Sequence, residues 1–320
     1  MHNASRGPFS CLLALGLVAC GPPVTIGSDL PVDPPVSGKR VSITDDLRAV
    51  WGSSAHDVWA VGASGAIRHF DGRTWAVVDN GGITEDLSSV HGTGPNDVWA
   101  TGLDGTVMHW NGEAWSVADS PADGSMLLGV WTGAPSDVWA VGIDMGGYGF
   151  FRHWDGATWK HGGALNPSSL WKVWGSGPND VWMVGGNSSD EGVILRGDTT
   201  GFAAFPFDGP GLRGVWGSGP NDVWVAPYQG EIEHWDGTTW TRAPSSTAVG
   251  SLLGLRGVAP NELWAVGLDG LILHYVGSEW SQSSSSTANV LWSVWGSTPN
   301  DVWAVGKDAL LYWNGSAWSP

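Results

Sequence analysis

Short apolar runs alternate with turn residues along most of the chain, and they recur with a fixed period. The first set reads Leu47-Arg48-Ala49-Val50-Trp51, Asp57-Val58-Trp59-Ala60-Val61, Ala66-Ile67-Arg68-His69-Phe70 and Thr74-Trp75-Ala76-Val77-Val78. Each run is β-branched or aromatic, too short for a helix, and bounded by Gly, Asp, Asn or Ser. The pattern therefore predicts four strands, a to d. The phrase around Val50-Trp51 returns at Val90, Val130, Val173, Val215, Leu255 and Val294, at spacings of 39 to 43 residues. A second phrase ends each set, at Trp75, Trp115, Trp159, Phe202, Trp240, Trp280 and Trp318. A period near 40 residues with several strand-sized pieces is the signature of a propeller blade. The chain is expected to be all-β, a seven-bladed β-propeller of four-stranded antiparallel blades over residues 41–320. Its repeats begin near residues 47, 87, 127, 170, 212, 252 and 291.

The repeats also sort residues by role. A position alike in all blades serves the fold, and one that breaks the pattern is a functional candidate. Of 24 Trp, 22 fall on repeated strand positions, where wide indole faces fill the wedge between blades. The remaining two, Trp171 and Trp292, share one position just after a Leu present in every repeat. That position holds Arg48, Ser88, Leu128, Arg213 and Leu253 elsewhere. It lies where strand a starts, beside the central channel. Two Trp and two Arg at a channel mouth can stack on and hydrogen-bond a ligand such as a sugar.

Loop lengths distinguish the two faces. The a–b and c–d turns are stereotyped, whereas the b–c loops vary: Asp144 to Phe150 with Tyr148, Asn187 to Glu191, and Pro227 to Gln229 with Tyr228. Function on a rigid scaffold usually sits in variable loops. The candidate ligand residues are therefore Trp171, Trp292, Arg48, Arg213, Tyr148 and Tyr228, all on the b–c face.

Composition narrows the function classes. The formal charge is −17, from 31 acids against 14 bases, which disfavours nucleic acid. Asp57 and its counterparts Asp97, Asp137, Asp180, Asp222, Glu262 and Asp301 follow the a–b turn, one per blade. They are expected to lock turns by accepting backbone N–H bonds. His69, His109, His153, His234 and His274 recur on strand c, also on separate blades. Neither set converges as calcium or zinc requires, so no metal and no cofactor is expected. The nucleophile-elbow, zincin and P-loop motifs are missing, so the chain reads as a non-enzymatic monomer.

Residues 1–20 have Arg6 as a basic start, an apolar stretch from Cys11 to Ala19, and the ending Leu17-Val18-Ala19-Cys20. That ending resembles a bacterial lipobox. It implies a signal peptide over 1–19, lipid on Cys20, and a location at the outer membrane or cell surface. Five prolines between residues 21 and 40 make an extended tether. Lys39 to Thr44 are expected to supply or extend the short last strand of the seventh blade.

The run Leu47 to Val78 resembles a tectonin or tachylectin-type propeller repeat, with its L-x-x-V, V-W-x-V and I-x-x-F/W-D-G-x-x-W sequence. The resemblance spans residues 41–320 and implies a surface lectin. The c–d phrase is also similar to the Asp-box of sialidase-like propellers. There the Asp lies five residues before the aromatic, whereas Asp71 lies four before Trp75. An anchored Trp-rich propeller is similar in layout to outer-membrane assembly lipoproteins. The expected function is a binding module for a glycan or an envelope protein. The alternatives are an interaction scaffold in envelope assembly and a sialidase-like hydrolase or lyase. Replacing Cys20 by Ser is expected to abolish fatty-acid labelling in a bacterial host and to release the chain from membranes. Label retained in C20S overturns the lipid anchor.

Overall fold

The computed structural model describes residues 45–165, 168–187, 189–246 and 250–320. The expected signal, Cys20, the tether and the Lys39–Thr44 strand lie outside these residues. The described residues form seven four-stranded antiparallel sheets, each built from consecutive strands. The first blade comprises Leu47–Ser54, Asp57–Gly62, Ile67–Phe70 and Trp75–Val77, close to the expected runs. Strand a of each later blade is Leu87–Gly94, Met126–Ala134, Ser168–Gly177, Leu212–Gly219, Leu252–Ala259 and Leu291–Thr298. These seven strands pack in succession around an axis, the last against the first. The fold is an all-β, seven-bladed propeller.

The strand b indoles fill the wedges. Trp59 sits 4.9 Å from Trp110 and 5.4 Å from Trp115 of the following blade. Trp99 meets Trp154 and Trp159, Trp224 meets Tyr275 and Trp280, and Trp264 meets Trp313 and Trp318 in the same way. The ring closes by the same contact, with Trp303 5.0 Å from Phe70 and 5.2 Å from Trp75. The seventh blade carries its own outer strand, only Trp318–Ser319. Closure is reinforced where the backbones of Asp46 and Lys307 form an isolated antiparallel β-bridge and where the Val50 N–H donates to Ser293 Oγ at 3.3 Å.

Nearer the axis a second set of contacts repeats. The strand a Trp of one blade lies over a glycine of the next: Trp51 over Gly92, Trp131 over Gly175, Trp174 over Gly217, Trp216 over Gly257 and Trp295 over Gly52. A Cβ at Gly92 would stand 2.7 Å from the Trp51 ring, so the close approach requires glycine. In the second blade His91 replaces the Trp, and the next blade carries Thr132 where the others have Gly. The smaller ring leaves room for the larger residue. The Thr132 N–H donates to His91 Nδ1 at 3.2 Å, and the Thr132 hydroxyl lies 2.7 Å from the same atom. His91→Trp should overpack this contact and destabilise the fold by about 1–3 kcal/mol. Adding Thr132→Gly should recover most of that loss, read as a non-additive double-mutant cycle in urea unfolding. Simple additivity of the two changes would refute the pairing.

Candidate functional site at the channel mouth

Strand a begins in each blade with a fully buried Leu: Leu47, Leu87, Leu127, Leu170, Leu212, Leu252 and Leu291. The ladder to strand b then slips by one residue. Leu47 pairs with Gly62 and Ala49 with Val61, so Arg48 has no partner in the ladder. The same irregularity skips Ser88, Leu128, Trp171, Arg213, Leu253 and Trp292. A β-bulge of this kind re-aims the extra side chain. Glycine at the facing end of strand b permits it in the first blade, because a Cβ on Gly62 would strike the Asp46 carbonyl.

All seven bulged residues line one cavity of about 480 Å³, together with Lys172 and Tyr228. Of the six ligand residues expected from the sequence, Trp171, Trp292, Arg48, Arg213 and Tyr228 meet there. Tyr148 does not line the cavity. It is exposed on the third blade's b–c loop, where its N–H and that of Gly146 donate to Asp144 Oδ1.

The mouth has two fixed sides. On one, the Arg213 guanidinium lies 3.3 Å over the Trp171 ring and 5.5 Å from that of Tyr228. Burial lowers the Arg213 pKa, while Asp190 and Tyr228 oppose the shift. On the other side, Trp292 Nε1 donates to Asp46 Oδ1 at 3.1 Å. Arg48 pairs with Asp86 at 2.8 Å and reaches Asp46 at 3.8 Å. Trp171 thus has one ring face already covered by a cation, and Trp292 is anchored through its N–H.

Adjoining the mouth lies a second cavity of about 90 Å³, lined in part by Lys172, Arg213, His91 and Arg256. The repeat logic contained a signal for Lys172. The other blades place Ala49, Ser89, Gly129, Gly214, Gly254 and Ser293 there, so a Lys is the one long side chain at that position. His91 and Arg256 stand where five blades have a packing Trp. Burial, and then Arg213, bring the Lys172 ammonium down to about 8. Burial and then Arg256 bring His91 down to about 3, so its ring is neutral at physiological pH. Because a backbone N–H donates to Nδ1, that ring carries its proton on Nε2.

The recurring acids clamp blades through side chains, which corrects the expectation of backbone N–H bonds. Asp57 accepts from His69 Nε2 at 2.6 Å and from Ser53 Oγ at 2.5 Å. Asp97 accepts from His109, Thr93 and the Trp99 indole. In the fourth blade Arg196 replaces the His and donates to Asp180 at 2.6 Å. The histidines stack on the strand b indoles, as His69 does on Trp59 at 4.1 Å. Although Ser, Asp and His meet here, the Asp lies between the other two. The Ser bonds the carboxylate and not the imidazole, so the three are not ordered as a Ser-His-Asp triad. The c–d acids do accept backbone N–H groups, as Asp71 does from Arg73 and Thr74. Among the described residues, no group of three His, Cys, Asp or Glu side chains is placed to hold a metal ion.

With this geometry the chain takes its place among seven-bladed propellers. YCF48 from Cyanidioschyzon merolae resembles it at TM-score 0.67 and 14% identity, over 86% of this chain and 97% of that one. A YCF48 bound to a D1 peptide resembles it at TM-score 0.65 and 18% identity, over 88% and 97%. The WD40 propeller domain of Doa1 follows at TM-score 0.63 and 14% identity, over 86% and 93%. At these identities the likeness establishes the fold alone. No protein-family model matches the chain, and no curated protein matches it in sequence. The tectonin-type resemblance is thereby narrowed to the propeller architecture.

The clamps carry a pH dependence. Burial pushes the Asp57 and Asp97 carboxyls up, but the bonds from His69 with Ser53 and from His109 with Thr93 outweigh it, so both sit below the usual range. A carboxylate depressed in the folded state stabilises the fold above its unfolded pKa, about 3.9. That contribution is lost as pH falls through the folded value. The urea midpoint should therefore drop below about pH 4. Asp97→Asn should lower the midpoint at neutral pH and flatten the acid limb. An unchanged acid limb would refute the clamp's electrostatic role.

Proposed function

We propose that this chain is a non-catalytic binding module that receives a segment of a protein partner in the channel mouth of its b–c face. The observation that carries this reading is the convergence of seven bulged residues, one from each blade, on one cavity of about 480 Å³. Aromatic and Arg side chains of the kind gathered there serve as interface anchors. A propeller of the same fold is known bound to a peptide, which supports a protein ligand. The lipobox-like run ending at Cys20 supports placing the module at the cell envelope, where a scaffold for assembly would work.

A glycan is the second reading, favoured by Trp171, Trp292 and Tyr228 at one mouth. The Arg213 guanidinium over Trp171 weakens it, because a sugar needs an open ring face to stack on. Among the described residues, the hydrolase reading lacks an acid lining the mouth. Asp46 and Asp86, the carboxylates bonded to Arg48, do not line the cavity, and a glycosidase needs a carboxyl pair flanking the bond it cleaves.

The test is a peptide-display screen run beside a glycan array, with the purified chain and its Trp292→Ala and Tyr228→Ala variants. Peptide ligands that bind at least about tenfold more weakly to both variants are expected. Glycan signal alone moves the assignment to a lectin. Ligands that bind both variants as tightly as the unaltered chain remove the mouth as the site.

A further inference from the structure

Outside the channel, the buried or half-buried arginines of the first, third and fourth blades are paired with carboxylates. Arg152, fully buried, is held by Asp119 at 3.1 Å and Asp123 at 2.8 Å. Arg68 is held by Asp45, and Arg196 by Asp180. Among the described residues, Lys172, Arg213 and Arg256 form no ion pair, with Asp190 acting on Arg213 only at longer range, in a protein with 31 acids and 14 bases. The Lys172 ammonium donates only to the Leu128 carbonyl, at a long 3.4 Å. Buried Arg256 Nε meets no acceptor. His91 Nδ1 accepts from Thr132, and its Nε2–H has no acceptor among the described residues. Among the described residues, no Asp or Glu lines either cavity, and Asp46 and Asp86 hold Trp292 and Arg48 from outside the lining. Uncompensated charge withdrawn from bulk water is unfavourable, and an anion reaching these donors relieves it.

We propose that the cavity adjoining the mouth is an anion site that takes one carboxylate of the bound ligand. The Lys172 ammonium, the Arg256 guanidinium and the His91 Nε2–H serve as its donors, and Arg213 stands at its rim. The site rests on the reading of the mouth as the ligand-binding face and adds its chemical selectivity. The volumes suit this division: the part lined by Lys172, His91 and Arg256 has about 90 Å³, room for a small anionic group, and the mouth has about 480 Å³ for the body of the ligand.

The probe is succinate, with succinamide as its uncharged match, followed by calorimetry and by the shift in melting temperature. Saturable succinate binding is expected, with succinamide at least about tenfold weaker. Lys172→Met and Arg256→Met should each weaken succinate by at least about tenfold, and Lys172→Arg should restore most of the affinity. N-acetylglycylglycine and N-acetylaspartate amide then distinguish a chain end from an acidic side chain as the source of the carboxylate.

The pH profile separates a direct role from a structural one. Lys172 feels Arg213 of the next blade and shares the channel lining with Arg256 of the sixth blade and His91 of the second, with Arg48 and Tyr228 at the mouth, while Asp190 acts on Arg213 and Asp46 and Asp86 hold Arg48 from outside the lining. Its ammonium, at about 8 without ligand, is charged below that pH and lost above it. Succinate affinity should therefore fall as pH rises past 8, and Lys172→Arg should remove that fall. Should Lys172→Met fail to fold, Lys172→Ala, with the small side chain found in the other six blades, serves instead.

Succinate and succinamide binding alike, sulfate binding as tightly as succinate, or a Lys172→Met/Arg256→Met chain with full affinity would each overturn the site. So would no succinate binding at tens of millimolar. If uncharged peptides still bind the mouth while succinate does not, the anion site fails and the binding module stands. If succinate binds while no peptide or glycan does, the anion site stands and the partner reading fails.

Discussion

A four-stranded blade has two apolar faces and cannot bury either alone, so everything in this molecule depends on filling the wedge between neighbours. The strand b Trp does this by reaching into the strand c and strand d aromatics of the next blade. Each such indole buries on the order of 200 Å², and truncating one to Ala would be expected to cost about 3–5 kcal/mol. Because the contact runs from each blade to its successor, it also has to run from the seventh to the first. Trp303 against Phe70 and Trp75 is that closing contact, and it is made of the same residue types as the others.

The wedge packing leaves the axis free for other uses. Once the outer aromatics hold the blades at their angle, the inner strands need only small or apolar residues facing the channel. Two kinds of departure from that rule coincide in space. The bulges at the start of strand a turn seven side chains of differing chemistry toward one mouth. In the adjoining cavity, three blades replace the residue type of their neighbours with Lys172, His91 or Arg256. The second blade shows how such a departure is accommodated, since Thr132 fills the room that a smaller His91 leaves. The sixth has no matching adjustment to satisfy Arg256, and its guanidinium nitrogen remains without an acceptor.

The mouth also shows why residue identity alone does not define a ligand. Two tryptophans at a channel rim suggest a stacking platform. Here Arg213 already occupies one face of Trp171, and Asp46 fixes the edge of Trp292 while sharing Arg48 with Asp86. These contacts make the mouth a preorganised polar and aromatic rim, with one face of Trp171 already covered. The same reasoning applies to the Ser, Asp and His of each blade. Their order in space, with the carboxylate between the other two, ties strands together and is not that of a Ser-His-Asp triad.

Period, strand length and turn chemistry were all local in sequence, which is why the seven blades, the four strands and the wedge role of 22 tryptophans could be read without coordinates. The shared position of Trp171, Trp292, Arg48 and Arg213 was legible too, because repeats supply their own internal comparison. Tyr148 carries only the signal of a long loop, and loop length does not say which way a hairpin leans. Lys172 stood out by the same internal comparison, yet its meaning depended on where strand a turns its side chains. That Lys172, His91 and Arg256 share one channel, with no carboxylate among the described residues lining it, could be decided only by closing the ring. They lie on three different blades far apart in the chain, and long-range electrostatic company of that kind leaves no mark in a local pattern.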